Sequence, residues 1–273
     1  MDNDNLKYNF EYEIIRNGKS RMLVLPDNID ANIINNVLVR FLRYTKRKIS
    51  TELYLEKLQK KDLQVLAEIG FLDYWNISPT VEKSDNIKGI FPVTKIDSTS
   101  QVVTIIENLY SNLIKYFGVS NEWMQNFFED YTVTISELIQ NIPIHSEGEG
   151  FLYIYCTEED NGLFLNCGIA DDGIGIANTL KDYQLEYRHF WNDSFAITLA
   201  LQKGVSRFRK TESGRGKGLF GLYNRIQKWD GSLYLRSGKG LFVYNNKDYK
   251  AVELGNALMG VQIYIKIPIK NVQ

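Results

Sequence analysis

Glu212 to Leu222 reads Glu-Ser-Gly-Arg-Gly-Lys-Gly-Leu-Phe-Gly-Leu, with glycines at 214, 216, 218 and 221 and a basic residue, Arg215 or Lys217, in each of the first two gaps. Glycines let backbone come close to a ligand and take up positive φ. A helix-like run, Leu222 to Trp229, follows at once. Backbone N–H groups at the start of a helix, with Arg and Lys beside them, make a seat for phosphate. Gly216-x-Gly218-x-x-Gly221 also spells the dinucleotide fingerprint, but that motif needs a strand just before it. Arg207 to Ser213 is basic and polar instead. Gly18-Lys19-Ser20 has the tail of a P-loop, yet Glu13 stands where its first glycine belongs.

Two further stretches bear on chemistry. Glu137-Leu-Ile-Gln-Asn141 puts a carboxylate and an amide at i and i+4, on one helical face. Such a pair suits a hydrated Mg2+, which takes few protein oxygens, and the carboxylate can accept a proton from an attacking water or hydroxyl. Read alone, an exposed polar pair on a helix is the plainer alternative. Cys167-Gly-Ile-Ala-Asp171-Asp-Gly173-Ile-Gly175 ends an apolar run on an Asp followed by alternating glycines. An Asp there can accept a hydrogen bond from an adenine amino group, with the glycines letting the base lie close. A tight turn is the plain alternative.

The elements that must position these residues follow from periodicity. Helical stripes run from Ile29 to Arg47, Leu53 to Ile69, Ser98 to Phe117 (Val102, Val103, Ile106, Leu109, Leu113, Ile114) and Glu122 to about Ile142, the last ending before Pro143. Short strands are expected at Tyr8–Ile15, Arg21–Pro26, Ile90–Ile96, Gly150–Thr157, Gly162–Ala170, Gly231–Arg236, Gly240–Asn245 and Val261–Ile269. Ile90–Ile96 contains Pro92 and reads as an edge strand. Helices, then hairpins, then a helix, then hairpins predict an α+β fold with a mixed, largely antiparallel sheet and helices on one face. A small α/β module is expected over 1–95, before this domain at 96–273.

The 273 residues carry a formal net charge of −1, which gives no global case for nucleic acid or an anionic membrane as partner. Cys156 and Cys167 sit in apolar, strand-like runs and read as buried thiols of a reducing compartment. No apolar run approaches the roughly 18 residues of a membrane span. The N-terminus is acidic and polar, unlike a signal peptide, so a cytoplasmic location is expected.

Taken in order, Glu-x-x-x-Asn on a helix, Asp-x-Gly-x-Gly after a strand and Gly-x-Gly-x-Gly-Leu before a helix resemble the N box and two glycine boxes of the GHKL ATP-binding superfamily. That superfamily takes in gyrase B, histidine kinases, MutL and the anti-sigma-factor serine kinases. The resemblance covers about Ser98 to Ile269. It implies a Bergerat-type α/β sandwich with ATP and Mg2+ as cofactors. Glu137 would be the general base, and Asn141 would bind Mg2+, with Glu137 reaching the ion through water. Asp171 would hold the adenine amino group, and Gly173 and Gly175 would shape its pocket. Gly214, Gly216, Gly218 and Leu219 would wrap the phosphates, with Arg215 and Lys217 as added phosphate contacts. Phe190 to Lys210 would be the lid, bringing Lys203, Arg207 and Arg209. A protein partner is implied, a second copy of the chain included.

The chain departs from the pattern in places. Gly260-Val261 stands where many members carry Gly-Thr, so a hydroxyl contact to the base is not expected. Neither His145 nor His189 fits a phospho-accepting histidine on a dimerisation hairpin, which argues against a conventional two-component autokinase. His145 has a family counterpart near the nucleotide. Leu63 to Phe71 resembles part of a STAS-type module without its phospho-accepting Asp-Ser pattern, which implies an interaction role for the N-terminal part. The expected function is Mg2+-dependent ATP binding with hydrolysis or phosphoryl transfer to a Ser or Thr of a partner protein. The alternative is a nucleotide-gated interaction module with little turnover, as in a bacterial signalling or defence system.

Overall fold

The computed structural model describes residues 13–17, 20–27, 29–77, 84–119, 121–146, 148–205 and 218–270. The chain opens with an antiparallel hairpin of β1 (Glu13–Asn17) and β2 (Ser20–Val24). α1 (Ala31–Lys46) starts where the Asp30 carboxylate accepts from the Ile33 amide at 2.9 Å, a side-chain N-cap. It crosses over to β3 (Ser50–Tyr54), which lies parallel to β2. The single helix expected over Leu53–Ile69 is therefore two elements. The free edge of β2 takes up Ser50–Tyr54 as a third strand before α2 (Lys60–Glu68) begins. Gly70, at φ 67°, then turns the chain into the short α3 (Phe71–Tyr74).

The larger sheet begins with β4 (Ile87–Ile96), so this strand joins the C-terminal architecture although it precedes the boundary expected at 95. Ser98 then precedes α4 (Thr99–Phe117), and Gly118 closes it. Its buried stripe is Val102, Ile105, Leu109 and Leu113; Val103, expected inside, is 63% exposed. α5 (Glu122–Asn141) is capped by Asn121, whose side chain accepts from the Met124 amide at 2.9 Å. The helix does not stop before Pro143. It widens into a π-helical turn, Ile142–Ser146, a form that tolerates an inserted residue.

Then come β5 (Gly150–Glu159), β6 (Gly162–Asp171), the short α6 (Ile176–Thr179), α7 (Asp193–Ala200), α8 (Gly218–Lys228), β7 (Ser232–Asn245) and β8 (Asp248–Ile269). The strand order is β4-β5-β6-β8-β7, with every neighbour antiparallel. The expected mixed sheet is thus corrected: the parallel pair lies in the small N-terminal sheet. The two strands expected at Gly231–Arg236 and Gly240–Asn245 are one strand with register shifts at Gly238 and Gly240. β8 starts thirteen residues before the Val261 expected from alternation. Asn246 and Lys247, at φ 51° and 64°, form the hairpin turn that brings the added segment onto β7.

Both faces of this sheet are covered: the helices of 96–273 pack on one face, as expected, and α1 from the N-terminal part covers the other. Leu152, Ile154, Cys156, Cys167, Ile169, Ile263 and Ile265 pack with α4, α5 and α8. Phe151, Tyr153 and Tyr155 point the other way and pack with Val37, Leu38 and Leu42 of α1. Burial on both sides is why β5 reads as an unbroken apolar run instead of an alternation. The chain is α+β, with a five-stranded antiparallel sheet between helical layers. Among the described residues no helix is long and apolar enough to cross a membrane.

Candidate functional site

Glu137 and Asn141 lie on the last turns of α5, on the side away from buried Ile135, Leu138 and Ile139. The first turn of α8 lies against them. A Cβ placed on Gly218 would sit 3.5 Å from Asn141 Nδ2. One on Gly221 would sit 3.6 Å from Glu137 Oε2 and 3.1 Å from Arg225 Nη1. Gly218 and Gly221 are at i and i+3, so they present one side-chain-free strip to the polar face of α5. Arg225, a turn further on, reaches Glu137 Oε2 at 3.5 Å. The start of α8 offers amides with no partner in their own helix and a partial positive charge. A carboxylate, an amide and a helix N-terminus thus meet in one place.

Asp171 ends β6 and is only 5% exposed. Burial pushes its carboxyl up to about 7, although the Gly173 amide donates to Oδ1 at 2.9 Å and the Val261 amide donates as well, both of which favour the ionised form. Gly173 and Gly175 follow as expected. Gly175 is at φ 81°, and a Cβ there would lie 2.8 Å from Ser237 Oγ. Ser237 Oγ donates to the Gly260 carbonyl at 3.0 Å and accepts from the Ile176 amide at 2.9 Å, so it joins the turn to β7 and β8. Gly260, at φ 73°, lies directly against the Asp171 backbone, which a Cβ would strike.

The loop leaving α5 is tied to the same turn. The Glu149 amide donates to Asp172 Oδ1 at 2.9 Å, and the Asp172 amide donates to the Glu149 carbonyl at 3.0 Å. A Cβ on Gly148 would lie 2.6 Å from Asp172 Oδ1 and 2.8 Å from the Gly173 nitrogen. The segment that follows Asn141 is therefore pinned beside the segment that follows Asp171.

Gly214, Arg215, Gly216 and Lys217 lie outside the described residues, as do Arg207, Arg209, Lys210 and the side chain of His145. Leu219 is the second residue of α8 and packs against the core. Of the expected lid, Phe190 is 70% exposed, but Ala196, Ile197 and Leu199 of α7 are buried in the core. α7 is fixed to the β7–β8 hairpin: the Lys239 amide donates to Asp193 Oδ2 at 2.7 Å and the Ser194 amide to Glu253 Oε1 at 2.6 Å. Lys203 is exposed. His189 is also exposed, and its Nε2 accepts from Arg188 Nε at 3.2 Å.

Arg225, Ser237 and Gly260 were not marked as site residues from sequence. Each touches a motif residue across a long separation in the chain, and only the Gly260-Val261 departure drew attention to that part. A cavity of about 590 Å³ lies elsewhere, between β4 and α4, lined by Phe91, Thr94, Lys95, Gln101 and Asn108 among others, and by none of the motif residues. Among the described residues no three His, Cys, Asp or Glu side chains cluster closely enough to hold a metal ion. The chain matches no protein-family model and no curated protein.

Proposed function

We propose that the chain is a Mg2+-dependent ATP-binding protein with a Bergerat-type site of the GHKL kind. The observation that carries the proposal is the seating of Gly218 and Gly221 of α8 against Asn141 and Glu137 of α5. The glycine strip brings the start of α8 up to a carboxylate and an amide, and side-chain oxygens of this kind are what Mg2+ takes as ligands. Asn141, with Glu137 through water, would hold Mg2+, whose charge would offset that of the phosphates. Glu137 would take the proton of a water, or of a Ser or Thr hydroxyl on a partner protein. Asp171, buried at the end of β6, would accept from the adenine amino group, with Gly173 and Gly175 forming the wall beside it.

The engagement of Glu137 by Arg225 favours a second reading, a nucleotide-gated interaction module with slow turnover. A carboxylate held by a guanidinium is not free to meet a nucleophile until that contact opens. One experiment separates the two. Purified protein is incubated with γ-labelled ATP, Mg2+ and a lysate of its source cells, beside a Glu137→Ala control. Label on a discrete protein or on free phosphate, lost in the control, supports the catalytic reading. Label that stays on ATP bound by the protein supports the gated module. Failure of calorimetry to detect ATP binding would sink both.

A further inference from the structure

We propose that Lys46, in the N-terminal module and outside every motif, is a positioning residue for the Asp171–Gly175 turn. Its effect on nucleotide affinity rests on the function proposed above; its effect on the turn does not.

The geometry is a clamp with one cation at its centre. Lys46 is the last residue of α1, and its Nζ lies 2.7 and 3.0 Å from the two carboxylate oxygens of Asp172. The same Nζ is 3.5 Å from Glu149 Oε2. The Asp172 side chain is only 6% exposed, although the lysine is 42% exposed. This is not an ordinary surface pair. Removing the cation leaves a mostly buried carboxylate without its counter-charge, a costlier state than either partner alone in water. The carboxylate then gains by turning toward solvent, which breaks its bond to the Glu149 amide. That bond and its reciprocal partner join the segment after Asn141 to the segment after Asp171. One lysine therefore holds two motifs in register from outside both.

α1 does not need Lys46 to dock. Asn35 Nδ2 donates to the Ile263 carbonyl at 3.0 Å, and Val37, Leu38 and Leu42 are buried beneath it. Lys46→Ala is expected to fold with α1 in place and only the clamp opened. Lys95 is the natural control: it lies 3.1 Å from Glu149 Oε2 and 3.7 Å from Asp97 Oδ2, and among the described residues Asp172 is paired with Lys46 instead.

The test uses the full chain, with hydrogen exchange on the free protein and calorimetry with ATP and Mg2+. Lys46→Ala should speed exchange at the Glu149 and Asp172 amides and weaken ATP binding about tenfold. Lys46→Arg should restore both, and Lys95→Ala should leave affinity within about twofold. Asp172→Asn should weaken binding like Lys46→Ala, and the double variant should be no worse than either single one, because one contact is removed twice. Unchanged exchange at those two amides, additive losses in the double variant, or an equal loss in Lys95→Ala would each overturn the proposal. Faster exchange in a protein that binds no ATP would leave Lys46 as a positioning residue and remove the ATP reading. If Lys46→Ala fails to fold, Lys46→Arg and Asp172→Asn still decide the matter by the same two measurements.

Discussion

Arg225 Nη1 stands 3.5 Å from Oε2 of Glu137, on a helix that begins at Gly218 beside Asn141. Both side chains are partly exposed, at 26% and 35%, so the pair contributes no more than about 1 kcal/mol to stability. On the function proposed above, its weight lies in the chemistry. Arg225→Ala should leave the melting temperature nearly unchanged and raise ATP turnover severalfold by freeing the carboxylate. Glu137→Gln should keep calorimetric affinity and lose turnover. Undiminished turnover in Glu137→Gln would remove the general-base role.

Asp171 gives the site a pH dependence of defined sign. Its carboxyl is raised from an ordinary value of 3.8 to about 7, mainly by burial. The folded state therefore holds this proton more tightly than the unfolded chain. The stability it confers is complete below about pH 4 and is lost as pH rises through about 7. Asp171→Asn should melt close to wild type at pH 4 and above it at pH 8, by an amount on the order of a few kcal/mol. ATP, if it donates from its amino group to this carboxylate, should bind more tightly at pH 8 than at pH 6 in wild type. A flat affinity profile across that range would count against the adenine contact, as would unchanged affinity in Asp171→Ala.

Gly260 tolerates no side chain. It combines φ 73° with direct contact to the Asp171 backbone. Gly260→Ala should cost about 3 kcal/mol or more in urea denaturation, with strain and collision acting together. Gly255, in the same strand and with no described residue within 4 Å of its Cβ position, is the comparison. Gly255→Ala should change stability by less than about 1 kcal/mol.

The thiols of Cys156 and Cys167 should be inert in the native protein. Both are buried and unpaired as disulfides, and burial pushes each up to about 12. Since the thiolate is the nucleophile, a thiol reagent at pH 8 should label neither until denaturant is added, and then both. Labelling of either in folded protein would show that the sheet opens on its front face.

What could be read from the residues was what repeats along the chain. The stripes of α4 and α5 and the β5–β6 hairpin follow from helical and strand periods, and the spacing of Glu137 and Asn141 fixes their shared face. The edge position of β4 followed from Pro92. What escaped depended on neighbours distant in sequence. Ser50–Tyr54 is a strand only because β2 offers it an edge. Asp248–Gly260, with Gly255 and Asn256 inside it, has weak strand propensity and is held onto β7 through Asp248–Glu253 and Leu258. Arg225, Ser237 and Lys46 have ordinary local contexts; their roles come from partners 88, 23 and 126 residues away. Val103 was misplaced because the buried stripe of α4 centres on Val102, Ile105, Leu109 and Leu113, with Ile106 half-buried at its margin and Val103 beyond it.

The back of the large sheet carries Phe151, Tyr153 and Tyr155, which α1 covers, and its outer strand β4 begins at Ile87. A fragment starting at residue 96 would lose that strand and expose a row of large aromatic rings together with the free edge of β5. Such a surface invites self-association. The N-terminal part is thus an internal solubiliser as well as a neighbour of the site. Expressing residues 96–273 alone would produce aggregate, and its silence in an assay would say nothing about the role proposed for Glu137.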